Sequence, residues 1–203
     1  MKTGKFFLLN SHSNFKSLNC NADNLLEVFE NWTESLNQGY GVDVIYLDYR
    51  KAFDTVPHKR LMTTLHQAGI QGTVFNWIKA FLTNREMRVV VNKQSSVWSS
   101  VISGVLQGSV LGPLLFILYV NDLPDWIKND MRIFADDTKV WSKIRGPKDC
   151  IKLQADLNQL QLWSDRWLLS FNPDKCKVMH MVTITDFSMR YNRMILRIIY
   201  LKQ

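Results

Sequence analysis

Two adjacent aspartates, Asp136 and Asp137, join two short runs with strand character at residues 131–135 and 138–141. This pattern predicts a tight β-hairpin with two carboxylates at its tip. Adjacent like charges repel, and Asp-Gly or Asn-Gly would supply the backbone angles of a two-residue turn with less strain. An acidic surface turn is one interpretation. A bound cation is the other, and Mg²⁺ suits the position because it commonly uses one or two carboxylates plus substrate phosphates.

A third carboxylate, Asp48, follows the β-prone segment 42–47, which we expect to form a buried strand. A carboxylate at the end of such a strand is costly unless it is paired, solvated or bound to a metal. If this strand pairs beside the predicted hairpin, three carboxylates meet at one edge of a sheet. Two Mg²⁺ ions ~3.5–4 Å apart could then promote an in-line displacement at phosphorus. A cap on a local turn remains the alternative for Asp48.

The rest of the chain contains predicted helices between short predicted strands. Apolar spacing predicts helices at residues 24–36, 57–68, 73–83, 114–120 and 147–167, and strands at 87–91, 97–102 and 178–185. We expect the predicted helix at residues 73–83 to have one apolar face, and the long helix at 147–167 to carry an apolar packing stripe. These faces comprise Val74, Trp77, Ile78 and Phe81, and Ile151, Leu153, Leu157, Leu160, Trp163 and Trp167.

The charge balance favours an anionic partner. Among 203 residues, 25 Lys and Arg stand against 18 Asp and Glu, a net charge of +7, which suits a partner such as nucleic acid. The three cysteines, Cys20, Cys150 and Cys176, are too far apart to suggest a disulfide framework or a zinc cluster. The apolar run near the N-terminus is too short for a signal peptide, and residues 110–120 fall short of the ~20 that a membrane span needs. We expect a soluble protein of the cytoplasm or nucleus.

Four segments resemble, in order, the palm motifs of one enzyme family. They are LDYRKAFDTVPH, SGVLQGSVLGPLLFILYVNDLP, FADD and FNPDKCKVM. They are similar to motifs of reverse transcriptases from non-LTR retrotransposons, specifically the jockey and CR1-like group, and the resemblance runs from about residue 24 to 180. It implies an α+β fold: a reverse-transcriptase palm with a ferredoxin-like split βαβ antiparallel sheet, covered on one face by helices. Part of the fingers is expected between Pro57 and Ile102.

The resemblance implies RNA-directed DNA polymerisation, in which a primer 3′-hydroxyl attacks the α-phosphate of a dNTP. The implied cofactor is Mg²⁺, as two ions, with Mn²⁺ as a substitute. The implied partners are an RNA template, a DNA primer and a dNTP. Asp48 and Asp136 match the first and second metal-binding aspartates, and Asp137 matches the neighbouring acid that supports the site.

Six further residues match substrate-binding positions of the family. Phe53 matches the bulky gate whose ring would collide with a ribose 2′-hydroxyl. Lys175 matches a lysine near the pyrophosphate leaving group, where it could donate a proton or neutralise charge. The other matches approach the triphosphate through their backbone, or line the nucleotide and template site: Lys51 and Ala52, and Gln107 and Gly108.

Each of these residues also has a plainer interpretation. When the family resemblance is set aside, Phe53 is interpreted as a core residue and the segment 103–113 as a flexible turn before a helix. Lys175 is then interpreted as a solvated lysine beside Asp174. Asp54 and His58 fit the first motif, and we expect a structural role for both. Three basic residues could contact phosphates or form a solvated face: Arg85, Arg88 and Lys93.

The sequence also departs from the family pattern. Leu106 stands where proline is usual, which is expected to loosen the loop that positions Gln107. We expect a truncated copy, with a poorly structured remnant at residues 1–23, the domain at 24–185 and a divergent tail at 186–203. The endonuclease, the earlier finger motifs and the thumb are expected to be missing. The alternatives are an inactive remnant that retains nucleic-acid binding, and a product without a stable fold.

Overall fold

The computed structural model describes residues 21–182, so the sequence predictions for residues 1–20 and for 183–203 lie outside it. The helices are α1 Asn21–Asn37, α2 Ala52–Thr55, α3 His58–Gln67, α4 Gly72–Leu82, α5 Leu111–Tyr119 and α6 Pro147–Trp167, with a 3₁₀ turn at Leu123–Trp126. The strands are β1 Gly41–Leu47, β2 Glu86–Met87, β3 Val90–Val91, β4 Gln94–Ser95, β5 Ser99–Ser100, β6 Asp130–Phe134, β7 Asp137–Ile144 and β8 Lys177–Met181. None of the described helices is both long and apolar enough to span a bilayer.

Four strands form an antiparallel sheet in the order β6-β7-β1-β8. The central strand β1 pairs with β7 on one side, where Leu47 lies opposite Thr138, and with β8 on the other, where Val44 lies opposite Met179. Of its seven residues, only Tyr46 is partly exposed. The predicted buried strand is therefore confirmed. A strand that pairs on both sides and packs on both faces favours a nearly continuous apolar run.

Helices pack on both faces of this sheet, so the prediction that helices cover one face was wrong. The larger apolar core includes Ile45 and Leu47 of β1 together with residues of α3, α5 and α6. On the opposite face, Val28 and Trp32 of α1 join a second cluster. The physical reason is the alternation of side chains along β1. Residues at even positions also carry apolar side chains, and these need their own cover: Val42 and Val44.

Two of the predicted apolar faces are only partly buried. In α6, Ile151 is 56% exposed, whereas Leu153, Leu157, Leu160 and Trp163 are buried. In α4, Val74 and Trp77 are each 58% exposed. That helix packs against α3, and the side chains that it buries are Ile78 and Leu82. Helical periodicity therefore identified the helices correctly but overestimated the width of the surface that their neighbours cover.

The predicted strands between α4 and α5 form a short, interrupted ribbon. Strand β2 pairs with β5, and β3 pairs with β4. The turn contains only Asn92 and Lys93, both with positive φ, so Gln94–Ser95 forms a strand between the two predicted ones. All eight strand residues are exposed. The ribbon therefore contributes backbone pairing and no buried core.

Candidate active site

The carboxyl end of β1 lies beside the start of β7. Because Leu47 is opposite Thr138, Asp48 follows one member of that pair and Asp137 precedes the other. Asp48 and Asp136 line the same cavity, which has a volume of about 430 Å³. The structure thus brings together two carboxylates that are far apart in the sequence.

The tip of the β6–β7 hairpin differs from the prediction by one residue. Phe134 lies opposite Asp137, so the two turn residues are Ala135 and Asp136. Ala135 has φ +51°, an uncommon conformation for a residue with a side chain. Asp137 is the first residue of β7, is exposed, and is not among the residues that line the cavity. Cross-strand register, which the local sequence does not encode, decides which aspartate occupies the turn.

The cavity collects most of the residues that the sequence indicated. Its lining includes eight of the nine predicted site residues, together with Tyr49 and Pro113, which were not predicted. The eight are Asp48, Lys51, Ala52, Phe53, Gln107, Gly108, Asp136 and Lys175. Tyr49 adjoins the first aspartate in the sequence, and its amphipathic side chain next to a carboxylate was the signal that could have identified it.

Lys175 forms an ion pair with the first aspartate. Its Nζ lies 3.5 Å from Oδ1 of Asp48, and the lysine side chain is 65% exposed, so the pair contributes little stability. The backbone holds the two segments together more firmly. Asn172 N donates to the carbonyl of Asp48 over 2.8 Å, and Arg50 N donates to Ser170 O over 2.8 Å. Lys175 therefore lines the cavity while most of its side chain stays solvated.

Backbone hydrogen bonds anchor the loop at residues 103–108 to the α2 segment. Gly104 N donates to Val56 O over 2.8 Å, and Val105 N donates to Phe53 O over 2.6 Å. A Cβ on Gly104 would lie 2.7–2.8 Å from backbone atoms of Phe53 and Asp54, so only glycine allows this approach. These contacts tie residues 104 and 105 of the loop to the α2 segment, and the expected loosening by Leu106 stays a prediction.

Side chains of the first motif complete this anchor. Asp54 Oδ1 accepts a hydrogen bond from Gln107 Nε2 over 3.1 Å, and its carbonyl accepts one from Ser103 Oγ over 2.9 Å. Nε2 of His58 lies 2.8 Å from Gly104 O. The structural role expected for Asp54 and His58 is consistent with these contacts. Because a carboxylate only accepts hydrogen bonds, Asp54 also fixes which end of the Gln107 amide faces away from it.

Phe53 both lines the cavity and packs against the apolar core, so it fits the gate position and the core position that the sequence suggested. One part of its side chain lines the cavity, and its ring stacks on Phe116 with centroids 4.9 Å apart and planes at 28°. Phe116 is fully buried in the larger core. A ring that packs on a rigid core residue presents a fixed wall to the cavity.

Two neighbouring buried hydroxyl groups, of which the Tyr49 side chain lines the cavity, have no hydrogen-bond partner among the described residues. Tyr49 is 2% exposed and Thr138 is 1% exposed, and the Tyr49 Oη and Thr138 Oγ1 atoms are both unsatisfied. Burial raises the pKa of Tyr49, and the negative charges of Asp122 and Asp136 raise it further, while the neighbouring Thr138 hydroxyl opposes the shift. Tyr49 therefore stays neutral and able to donate a hydrogen bond.

The donor set suits one kind of metal site. Within residues 21–182, no group of three or more His, Cys, Asp or Glu side chains is placed to hold an ion. Asp48 and Asp136, however, share a cavity that also contains the basic Lys51 and Lys175. Two carboxylates next to space for an anionic ligand fit Mg²⁺ coordination completed by substrate phosphates, and do not fit an all-protein cage.

A row of basic residues crosses the sheet next to the carboxylate end. Tyr46 lies opposite Lys139 on β7 and Lys177 on β8, and Lys139 lies opposite Arg132 on β6. Directly opposed residues share a face of the sheet, so the three cations line one side. It is the side on which α1 packs, and there Arg132 forms an ion pair with Glu27 of α1. We call Arg132, Lys139 and Lys177 the basic row. The sequence alone does not reveal this row, because these residues converge only through strand pairing.

The basic residues that the sequence did indicate lie elsewhere. Arg85 donates to the carbonyls of Leu82 and Gly104 over 3.3 and 3.4 Å, which favours a structural role. The Arg88 guanidinium lies 4.6 Å from the centroid of the Trp98 ring, and both residues are exposed. Lys93 occupies the turn of the ribbon. Arg88 and Lys93 thus remain available to an anionic partner.

This sheet, with its cavity at the end of the central strand, defines a class of protein. Residues 10–194 match the family described as reverse transcriptase (RNA-dependent DNA polymerase), and the chain belongs to this family. Its fold resembles apo telomerase from Candida tropicalis truncated from the C-terminal domain, with a TM-score of 0.59, 12% identity, and coverage of 79% of this chain and 35% of that one. This likeness shows a shared reverse-transcriptase-like fold of mixed helix and sheet.

Individual relatives narrow the class. The chain is 30% identical over 167 residues to the probable RNA-directed DNA polymerase from transposon X-element of Drosophila melanogaster, covering 79% of this chain and 18% of that protein. It is 32% identical over 149 residues to the RNA-directed DNA polymerase from mobile element jockey of the same species, covering 69% and 16%. The predicted kinship with non-LTR retrotransposon enzymes is confirmed. The chain spans less than a fifth of these relatives' length.

Proposed function

We propose that this chain carries the nucleotidyl-transfer site of an RNA-directed DNA polymerase, joining a dNTP to a primer 3′-hydroxyl. The sheet with α2, α5 and α6 would form the palm, and the segment from Pro57 to Ile102 would form part of the fingers. The observation that carries the proposal is the shared cavity. It combines two carboxylates, a lysine paired with one of them, an aromatic wall and an anchored glutamine: Asp48, Asp136, Lys175, Phe53 and Gln107.

Each residue of the cavity has a role that its chemistry supports. Asp48 and Asp136 would hold Mg²⁺, which when bound lowers the pKa of an attacking hydroxyl and stabilises developing charge on phosphate oxygens. The Lys175 ammonium group would leave Asp48 and pair with the departing pyrophosphate, whose negative charge it would neutralise. The fixed ring of Phe53 would exclude a ribose 2′-hydroxyl, and the Gln107 amide would orient the nucleotide.

The basic row supports a place for the template and primer. It lies on the sheet one residue pair from the end that carries Asp48 and Asp137. Cations on neighbouring strands of one sheet face suit phosphate contacts, which position a nucleic acid without reading its sequence. A solved telomerase from Candida tropicalis, which shares the fold at a TM-score of 0.60, is in complex with a fragment of telomeric RNA. We therefore propose an RNA template beside this face.

Primer extension on an RNA template tests the catalytic proposal. The full chain should incorporate dNTPs in the presence of Mg²⁺, and Asp136→Asn should abolish incorporation because it removes a charged ligand from the cavity. Asp174→Asn is the matched control, since Asp174 is an acid next to Lys175 in sequence that does not line the cavity. Equal incorporation by the unchanged chain and Asp136→Asn would refute the proposal.

A second candidate function is nucleic-acid binding without catalysis, which the basic row favours independently of the cavity. Filter binding across a salt series tests it, because phosphate contacts make affinity fall steeply as salt rises. Replacing Lys139 or Lys177 by alanine should each reduce the slope by about one. Salt-dependent binding without primer extension would select this function, and salt-insensitive binding would exclude it.

A further inference from the structure

The unsatisfied hydroxyl of Tyr49 is the starting point, because native proteins rarely bury a polar group without a partner. Tyr49 is 2% exposed, and within residues 21–182 its Oη makes no hydrogen bond of good geometry, although the Thr138 hydroxyl is its neighbour. It nevertheless lines the same cavity as Asp48 and Asp136. A donor without a partner at this position calls for an acceptor in the cavity, and Asp136 supplies carboxylate oxygens there.

Packing fixes the direction of this hydroxyl. The Tyr49 ring stacks on Phe171 with centroids 4.9 Å apart and planes at 21°, and it meets Phe116 edge-on at 6.0 Å. Phe171 and Phe116 are both buried in the larger core. The packed ring therefore fixes the position of the hydroxyl oxygen, and the O–H can turn toward an acceptor in the cavity that Tyr49 lines.

Asp136 is the group that needs such a donor. It stands in the two-residue turn beyond the last β6–β7 pair, Phe134 with Asp137, so strand pairing does not restrain its side chain. Thr138, whose hydroxyl neighbours Tyr49, follows only two residues later. A carboxylate that must hold an ion benefits from a second hydrogen bond that selects one orientation.

We propose that Tyr49 is a positioning residue, whose hydroxyl donates a hydrogen bond to the Asp136 carboxylate when that carboxylate binds a divalent cation. The inference rests on the proposed function, since it requires Asp136 to be a metal ligand. The competing arrangement is a hydrogen bond between the Tyr49 and Thr138 hydroxyls, which would be purely structural. The two arrangements make opposite predictions for stability and for metal affinity.

Tyr49→Phe removes only the hydroxyl and separates these arrangements. Mn²⁺ is the probe, with its binding to the full chain followed by electron paramagnetic resonance and unfolding followed separately in urea without metal. We expect Tyr49→Phe to weaken Mn²⁺ binding about tenfold, as loss of an outer-shell partner does. We expect no loss of stability without metal, because the deleted hydroxyl had no partner there.

Tyr119→Phe is the matched control. Tyr119 is also buried, but its hydroxyl donates to the carbonyl of Trp167. We expect this variant to lose stability and to keep its Mn²⁺ affinity, which is the reverse of the pattern for Tyr49→Phe.

Two results would overturn the inference: unchanged Mn²⁺ affinity in Tyr49→Phe, or a loss of metal-free stability in that variant, since the latter reveals a structural partner. Asp136→Asn distinguishes this failure from failure of the proposed function. If Asp136→Asn loses Mn²⁺ binding and Tyr49→Phe does not, only the role of Tyr49 is refuted. If Asp136→Asn also binds normally, the metal site itself is refuted.

Discussion

Replacing Gly104 by alanine should destabilise the protein more than the same change at a glycine with open surroundings. Gly104 has φ +89°, and a Cβ there would lie 2.7 Å from Asp54 O and 2.8 Å from both Asp54 Cα and Phe53 O. Gly69 has a similar φ, +82°, but a Cβ there would meet nothing within 4 Å. Comparing the two variants separates the cost of the backbone conformation from the cost of the collision.

The expected magnitudes follow from these contacts. The left-handed conformation costs a residue with a side chain about 1–2 kcal/mol, and both variants incur it. At Gly104 the loop must also move away from α2, which weakens two hydrogen bonds, Gly104 N to Val56 O and Val105 N to Phe53 O. At about 1 kcal/mol each, these bring the expected loss for Gly104→Ala to about 3–4 kcal/mol.

Urea denaturation of the full chain measures both variants against the unchanged protein. The midpoint for Gly104→Ala should fall well below that for Gly69→Ala, with similar slopes. Equal losses in the two variants would refute the close approach between the loop and α2, and with it the claim that this contact positions Gln107.

Two further predictions concern carboxylates outside the metal site. Asp122 accepts hydrogen bonds from Trp163 Nε1 over 2.9 Å and Trp167 Nε1 over 3.0 Å, so Asp122→Asn, which loses one acceptor, should cost about 1–3 kcal/mol in urea unfolding. Burial raises the pKa of Asp122 above its ordinary 3.8. The free energy of unfolding should therefore be higher at low pH and fall as pH rises through the raised pKa. The Asp122→Asn variant should lack this pH dependence. In Asp54→Asn, the Gln107 amide can flip by 180°, because an asparagine amide can donate as well as accept. The KM for dNTP in primer extension should then rise about 2–10-fold with kcat little changed. An unchanged KM would contradict this role.

Local pattern was sufficient for the elements that carry the site. The β-prone segment 42–47 predicted a buried strand, and the strand delivers Asp48 to the cavity. The helical stripe of α6 predicted Leu153, Leu157, Leu160 and Trp163 as core, and they are buried. Apolar periodicity works here because each element packs against a neighbour that covers most of its apolar face.

Features decided by distant partners were not predictable from the sequence. The turn contains Ala135 because the pairing of Phe134 with Asp137 sets the register. The helix α5 begins at Leu111, three residues earlier than predicted, and includes Gly112. A Cβ on that glycine would lie 2.3 Å from the carbonyl oxygen of Leu106, so the helix starts where its own loop packs against it. A pattern that treats glycine as a helix breaker misses such a contact.

The ion pair between Lys175 and Asp48 links the parts of the proposed mechanism. Asp48 and Asp136 are like charges in one cavity, and the Lys175 ammonium 3.5 Å from Asp48 offsets part of their repulsion. A divalent cation that binds Asp48 must therefore displace the Lys175 ammonium group or share the Asp48 carboxylate with it. A triphosphate relieves this competition, because it attracts the lysine and supplies oxygens to the cation at once. Under the proposed function, cation and nucleotide therefore bind cooperatively, since each removes an electrostatic cost that the other would otherwise meet.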